Sequence, residues 1–297
     1  MTQNNAINAG ELRARSESQA ARLPPLLARA EHLAGAVLLG DHGRRRAGMG
    51  DDFWQYRPAQ LGDSRRMIDH RRSAMGDQQF VREREWQIAQ SVMLWCDQGA
   101  SMRFASNDDL PTKAERARTL TLAAAILMIR AGERVGLTGT RLPPRRGNDQ
   151  ILRLANMLSQ DQDVEYEPPE HRAMIPNAAA LFVSDFMGDI SAVQTALTKA
   201  ADRGVRGTLL HVLDPSEEAF PFHGRTIFES VGGTVQHETL KANDLKDRYL
   251  QRLAERKAEL QSLCALTGWQ YGVHHTNSSA QSGLLWLYQA LNGGVRV

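Results

Sequence analysis

The sequence predicts an α/β fold built on a doubly wound, mostly parallel sheet. Three observations carry that reading. Short apolar runs recur and stop at a carboxylate: Ser91-Val-Met-Leu-Trp-Cys-Asp97, Leu181-Phe-Val-Ser184-Asp185 and Leu209-Leu-His-Val-Leu-Asp214. Runs that are apolar on both faces are what a strand buried between two helical layers requires. Segments with helical spacing lie between them, and strand–helix alternation of this kind winds into a parallel sheet. At 297 residues the chain can bury a large core, as one large α/β domain or about two domains.

Each element has a local reason. Residues 1–22 are polar and poor in large apolar residues, which predicts a mobile tail. Leu26 to Leu39 follows Leu23-Pro-Pro25 and places Leu26, Leu27, Ala30, Leu33 and Val37 close to one helical face. Asp41 to Gly50 holds three glycines in eight residues and reads as a loop. Residues 51–85 read as an irregular or helical, arginine-rich segment; ten arginines and eight acids lie between Asp41 and Glu85. Arg–carboxylate pairs and Arg–aromatic stacks would hold such a segment together. After the Ser91–Cys96 strand comes a turn at Asn107–Pro111, a helix from Lys113 to Arg130 stopped by Gly132, and a strand at Arg134–Leu137.

The two prolines of Arg141–Asn148 allow only a loop or a short edge strand there. Ile151 to Leu158 is helical, and the acidic, proline-containing stretch to Pro176 is a surface connection. The Leu181–Asp185 strand is followed by a helix from Ile190 to Asp202 and a strand ending at Asp214. Arg225–Ser230 and Thr234–Glu238, joined through Val-Gly-Gly233, form a β-hairpin insertion. A long charged helix, Lys241–Leu266, precedes a last strand, Trp269–His274, and a last helix, Ala280–Leu291. The expected division is a tail at 1–22, a segment at 23–85 and the α/β domain at 86–297.

Composition excludes several functions. The chain carries 36 Lys+Arg against 34 Asp+Glu, a net charge of +2, without the basic excess of a dedicated nucleic-acid binder. The acids interleaved with Arg44 to Arg72 would repel phosphates. Its two cysteines, Cys96 and Cys264, have neither disulfide-framework nor metal spacing, which fits a reducing compartment. No apolar run approaches the roughly 20 residues that span a bilayer, and no signal peptide is evident. A cytoplasmic protein is expected.

In open α/β sheets ligands bind beyond the carboxyl ends of strands, at the point where strand order reverses. Asp97, Ser101 and Asp185 are therefore the candidate site, with Arg145 and Arg146 at its edge. Two strand-end carboxylates could serve a hydrolase, but a general acid two residues after Asp97 would fall on Gly99. No P-loop, zinc spacing or Ser-His-Asp order appears. His274 and His275 are adjacent on a strand, point to opposite faces and cannot hold one ion together.

The motif Asp97-x-Gly-x-Ser101-Met102, followed by a helix, Arg134-Val-Gly-Leu137 and Val183-Ser184-Asp185-Phe186, resembles a von Willebrand factor type A domain. Upstream, Phe53-Trp54-x-Tyr56-Arg57-Pro, Gly62-Asp63-x-x-Arg66-x-Ile68-Asp69-x-Arg71-x-Ser73-Ala74 and Val81-Arg82-Glu83-x-Glu85 resemble the signature of bacterial domain-of-unknown-function family 58 (DUF58). Members carry that signature directly before a von Willebrand-type domain. The resemblance implies a von Willebrand factor A-like sheet and a non-enzymatic adaptor that binds proteins. Its partner would be a MoxR-type AAA+ ATPase, its task protein maturation or chaperone-like work. Members often carry membrane helices before the signature, and this chain is expected to be a soluble version.

The resemblance also implies a metal-ion-dependent adhesion site holding one Mg²⁺. Asp97, Ser101 and Asp185 match three of its ligands. Gly99 stands where a serine is expected, and Arg145-Arg146-Gly147-Asn148 stands where a threonine is expected; only Thr138 and Thr140 are near. The implied site is degenerate, with weak or absent Mg²⁺ binding and no other cofactor.

Overall fold

The computed structural model describes residues 25–41, 53–59, 68–74, 76, 78–84, 90–229, 236–239 and 243–293. They form two compact units, one of residues 41–89 and one of everything else. Helix α1 (Pro25–Asp41) belongs with the second unit, so the boundaries fall near 41 and 89 rather than at 23 and 85.

The smaller unit corrects the expectation of an irregular or helical segment. Strands β1 (Phe53–Pro58) and β2 (Phe80–Arg84) pair antiparallel, with the four-residue helix α2 (His70–Ser73) between them in sequence. The aromatic-rich start of β1, Phe-Trp-Gln-Tyr, prefers extended backbone. Asp69 caps α2 by accepting from the Arg72 amide at 2.9 Å. The Ser73 hydroxyl donates to the Asp69 carbonyl and accepts from the Phe80 amide, tying helix to strand. An arginine–aromatic stack of the expected kind is present, with Arg72 5.7 Å from the centre of the Phe80 ring.

The larger unit is a doubly wound α/β domain. After β3 (Ser91–Cys96) come a 3₁₀ turn (Ala100–Arg103), α3 (Lys113–Arg130), β4 (Arg134–Leu137), α4 (Asn148–Leu158), β5 (Ala179–Ser184) and α5 (Ile190–Ala201). Then follow β6 (Arg206–Leu213), α6 (Pro215–Ala219), β7 (Thr226–Glu229), β8 (Gln236–Thr239), α7 (Asn243–Thr267), β9 (Gln270–His275) and α8 (Ala280–Gly293). Five strands pair in parallel in the order β4-β3-β5-β6-β9, and β7 with β8 makes the expected hairpin.

Outside β4, Arg145 bridges antiparallel to Val135. With that stub counted the order is 3-2-1-4-5-6 with an antiparallel edge, as in a von Willebrand factor A-like sheet. The chain leaves β3 toward β4 and returns on the other side of β3 as β5. The strand order thus reverses between Asp97 and Asp185.

Alternation along the strands builds two cores. Val92, Leu94 and Cys96 of β3 face one core with Leu181 and Val183, while Met93 and Trp95 face the other with Ala180 and Phe182. The first core also takes α1, α3, α4 and α8; the second takes α5 and α7. Helix α3 carries alanines at 114, 117, 123, 124 and 125, all buried, which lets it sit close against the sheet. Arg29 and Glu31 of α1 pair with Glu115 and Arg130 of α3. Among the described residues no helix is long and apolar enough to cross a membrane.

Close packing shows at Gly207 of β6. A methyl there would lie 2.6 Å from the Ala180 carbonyl oxygen and 2.8 Å from the Trp269 ring, neither of which can yield. Gly207→Ala should cost about 1–3 kcal/mol by overpacking, seen as a lower denaturation midpoint. An unchanged midpoint would mean β5 and β6 separate easily at that point.

Candidate functional site

Strands β3 and β5 run side by side, with Cys96 opposite Val183, and the chain carries straight into Asp97 and Asp185. Both carboxylates are buried, each about 1% exposed. They play different parts. Asp97 turns inward: one oxygen accepts from the Gly99 amide at 2.8 Å and the other from the Ser184 hydroxyl at 2.6 Å. Burial first, then the neighbouring Asp185 carboxylate, pushes its pKa up to about 7.

Asp185 accepts from the Met187 amide at 3.1 Å and from Lys113 Nζ at 2.9 Å. Burial alone would raise its pKa, but Lys113 holds it below the ordinary aspartate range. Lys113 is the first residue of α3, placed by a capping box in which Thr112 and Glu115 exchange side-chain and backbone hydrogen bonds. Its ammonium is 2% exposed and donates a second bond, 2.7 Å long, to Glu217. Burial works against that charge, and the two carboxylates overcome it and raise the lysine's pKa.

Glu217 is itself held by a capping box at the start of α6, where its other oxygen accepts from the Asp214 amide at 2.8 Å. Burial raises its pKa, with Lys113 opposing. Three elements of the fold (the start of α3, the end of β5 and the start of α6) therefore meet at one ammonium group.

A cation site was the implied use of Asp97, Ser101 and Asp185, and these residues fit an oxygen-bound dication poorly. Asp97 has both oxygens engaged within the protein, and Asp185 is already neutralised by Lys113. Gly99 has no room for a hydroxyl-bearing side chain: a Cβ would stand 2.9 Å from the Glu165 carbonyl oxygen and 3.0 Å from Asp97 Oδ1. Thr138 and Thr140 give their hydroxyls to backbone carbonyls of Leu94 and Leu137. Among the described residues no group of three or more His, Cys, Asp or Glu side chains is arranged to hold a metal ion.

Above the cluster opens a cavity of about 600 Å³. Ser101, Lys113, Asp185, Ser216 and Glu217 lie at its base, Phe104, Tyr166, Met187, Phe220, Phe222 and Tyr249 form much of its wall, and Glu165, Glu229, Leu245, Arg248 and Arg252 complete the lining. The backbone beside it is strained. Phe186, directly after Asp185, and Phe220, at the end of α6, both adopt positive φ, at 48° and 43°. Bulky residues rarely adopt that region, and such strain persists only where packing over-determines it. Phe186 is held against Trp95 and, edge-on, against His211; Phe220 packs on Phe222 and Tyr249.

Of the residues picked from sequence, the fold brings Asp97, Ser101 and Asp185 together and leaves Arg145 and Arg146 elsewhere. Arg145 pairs with Val135 near the start of β4, on the outer edge of the sheet, and neither arginine lines the cavity. In the smaller unit Trp54, Tyr56 and Arg57 lie on β1, Asp69 caps α2 and Arg71 lies exposed within it; Gly62, Asp63 and Arg66 fall outside the described residues. His274 and His275 part as expected, toward Arg116 and toward Glu218. Lys113, Glu217 and Ser184 are the residues that sequence reasoning missed. The capping patterns Thr112-x-x-Glu115 and Asp214-x-x-Glu217 were legible, but nothing local showed that the two helix starts face one another.

The family model described as "Protein of unknown function DUF58" matches residues 55–259. The chain belongs to the DUF58 family. Among solved structures, it is similar to an aerotolerance-related membrane protein from Bacteroides fragilis NCTC 9343 with multiple mutations to serine. That match has 15% identity over 69% of this chain and all of the other, with a TM-score of 0.40. The conserved hypothetical protein BatB from Bacteroides thetaiotaomicron matches at 16% identity over 70% of this DUF58 chain and all of its own, with a TM-score of 0.37. No curated protein matches.

Two outcomes test the site's electrostatics. Native Asp97 keeps its proton up to about pH 7, whereas the unfolded chain releases it near 4. The native state therefore holds more protons across that window, and this group makes stability fall as pH rises from about 4 to about 7. Asp97→Asn should gain stability on the wild type through that window and level off above it, as read by denaturant melts. A difference independent of pH would show that Asp97 ionises normally. Lys113→Met should cost about 3–5 kcal/mol by leaving two buried carboxylates unpaired, and adding Asp185→Asn with Glu217→Gln should recover most of that loss. A single variant as stable as wild type would remove Lys113 from the centre of the fold.

Proposed function

We propose that this chain is a non-enzymatic, cytoplasmic adaptor that works with a MoxR-type AAA+ ATPase in protein maturation or chaperone-like work. The observation that supports the reading is the cavity over the strand ends. Its base is charge-satisfied, and its walls are aromatic and partly exposed, the composition that anchors protein partners. DUF58 membership, through the resemblance that links such domains to MoxR-type ATPases, supports the choice of partner. The free thiols of Cys96 and Cys264, both buried, accord with a reducing compartment.

Among the described residues the site's groups do not form a pair set up for hydrolysis. Asp97 is the carboxyl with the proton affinity of a general acid, yet both its oxygens are bonded internally. Among the described residues the Ser101 hydroxyl has no hydrogen-bond partner, so no base is engaged with it. His211, opposite Ser184 in the strand register, is bonded to the Tyr271 hydroxyl, and burial pushes its pKa down to about 3.

The test is a surface-plasmon titration of the full chain against a purified MoxR-type ATPase from the same source. Wild type should bind, and Tyr166→Ser, a change at an exposed aromatic wall, should weaken binding about tenfold without lowering the melting temperature. Equal affinity in the folded variant would move the interface away from the cavity. No binding by wild type would overturn the ATPase partnership.

A further inference from the structure

The adaptor reading leaves the cavity's occupant unnamed, and the cavity's own chemistry narrows it. Three donors at its base lack acceptors. Lys113 Nζ carries three N–H groups and spends two, on Asp185 and Glu217. Its third has no oxygen or nitrogen acceptor among the described residues, and the ammonium lies 5.7 Å from the centre of the Phe104 ring. The hydroxyls of Ser101 and Ser216, residues that are both 7% exposed, have no hydrogen-bond partner among the described residues either. Native interiors seldom leave such groups unsatisfied, because each has given up water for nothing in return.

A separate observation comes from α7. Arg248 and Arg252 stand one turn apart on that helix and line the same cavity. Both are exposed, and among the described residues neither has an ion-pair partner. Between the donors at the base and the arginines lie the aromatic walls, enclosing a volume within the roughly 300–1,000 Å³ that compact ligands occupy.

We propose that the cavity takes a short peptide segment of a protein partner in which a large apolar residue is followed directly by an acidic one. The apolar side chain fills the aromatic space. Backbone carbonyl oxygens of the segment accept from Lys113, Ser101 and Ser216, which suits an uncharged acceptor, since Asp185 and Glu217 stand close by. The carboxylate meets Arg248 and Arg252, a pair of guanidinium groups matched to it in charge and geometry. Glu229 also lines the cavity, and its charge disfavours a carboxylate placed beside it. The proposal rests on the adaptor reading only in taking the occupant to be protein.

The test is fluorescence anisotropy of the full chain with labelled hexapeptides that differ only in a central pair: Leu-Asp, Phe-Asp, Leu-Lys, Leu-Ser and Ser-Asp. The Leu-Asp or Phe-Asp peptide should bind at least about tenfold more tightly than the last three. Arg248→Glu combined with Arg252→Glu should move the preference to Leu-Lys while the melting temperature stays put. If charge reversal lowers the melting temperature, Arg248→Gln with Arg252→Gln should still abolish the preference for Asp. Equal binding of all five peptides, or a preference for Asp that survives both arginine variants, would overturn the proposal. If no peptide binds while the ATPase still does, this inference falls and the adaptor reading stands. If the peptides discriminate as expected while the ATPase does not bind, the occupant is correct and the partner is not.

Discussion

The buried ammonium of Lys113, shared between Asp185 and Glu217, is the interaction on which the rest of the site depends. Each carboxylate comes from a different element, and the lysine from a third. The cluster therefore fixes the starts of two helices over the end of a central strand. Its contribution to net stability is small, because desolvating three charged groups offsets most of their attraction. Its contribution to geometry is large. A misplaced helix start would strand a charge in a low-dielectric interior, so alternative packings of α3 and α6 are disfavoured far more than the native one is stabilised.

The same cluster explains why two neighbouring strand-end carboxylates diverge in behaviour. Asp185 has a cation at 2.9 Å and stays ionised despite complete burial. Asp97 has only hydrogen-bond donors, and the Asp185 charge beside it discourages its ionisation. In many acid–base enzymes a split of this kind separates the roles of two carboxyls. Here the protonatable member is sealed by Ser184 and Gly99, so the split serves structure: one carboxyl organises the β3 loop, the other anchors the lysine. With a positive charge built into the chain, the strand-end carboxylate Asp185 is already neutralised.

Tight packing around that point restricts what the loops can carry. Gly99 is hemmed in by the Glu165 carbonyl and by Asp97 itself. The strained Phe186 and Phe220 are pinned by aromatic neighbours, and Phe220 in turn shapes the cavity wall. What remains open above the cluster is an aromatic recess lined from α7 by Arg248 and Arg252, which have no ion-pair partner among the described residues, and it is this recess that the adaptor proposal uses.

The sequence by itself determined the elements and their order. Runs apolar on both faces, alanine-rich helical spacing and glycine stops are all local signals, and the strand-end carboxylates Asp97 and Asp185 could be picked out because each closes such a run. It also carried the family, through the spaced signature of residues 53–85. The aromatic strand β1 was legible in principle but was outweighed by the dense charge around it. Only the tertiary structure decided which groups meet. Nothing local set Lys113 or Glu217 apart, whereas Arg145 and Arg146 were expected at the edge of the crevice. Their fates turned on pairing across 72 and 104 residues of chain for Lys113 and on the antiparallel stub beside β4 for Arg145. Contacts so distant in sequence leave no periodic or local trace, because the chain between them is free to vary as long as the sheet brings its ends together.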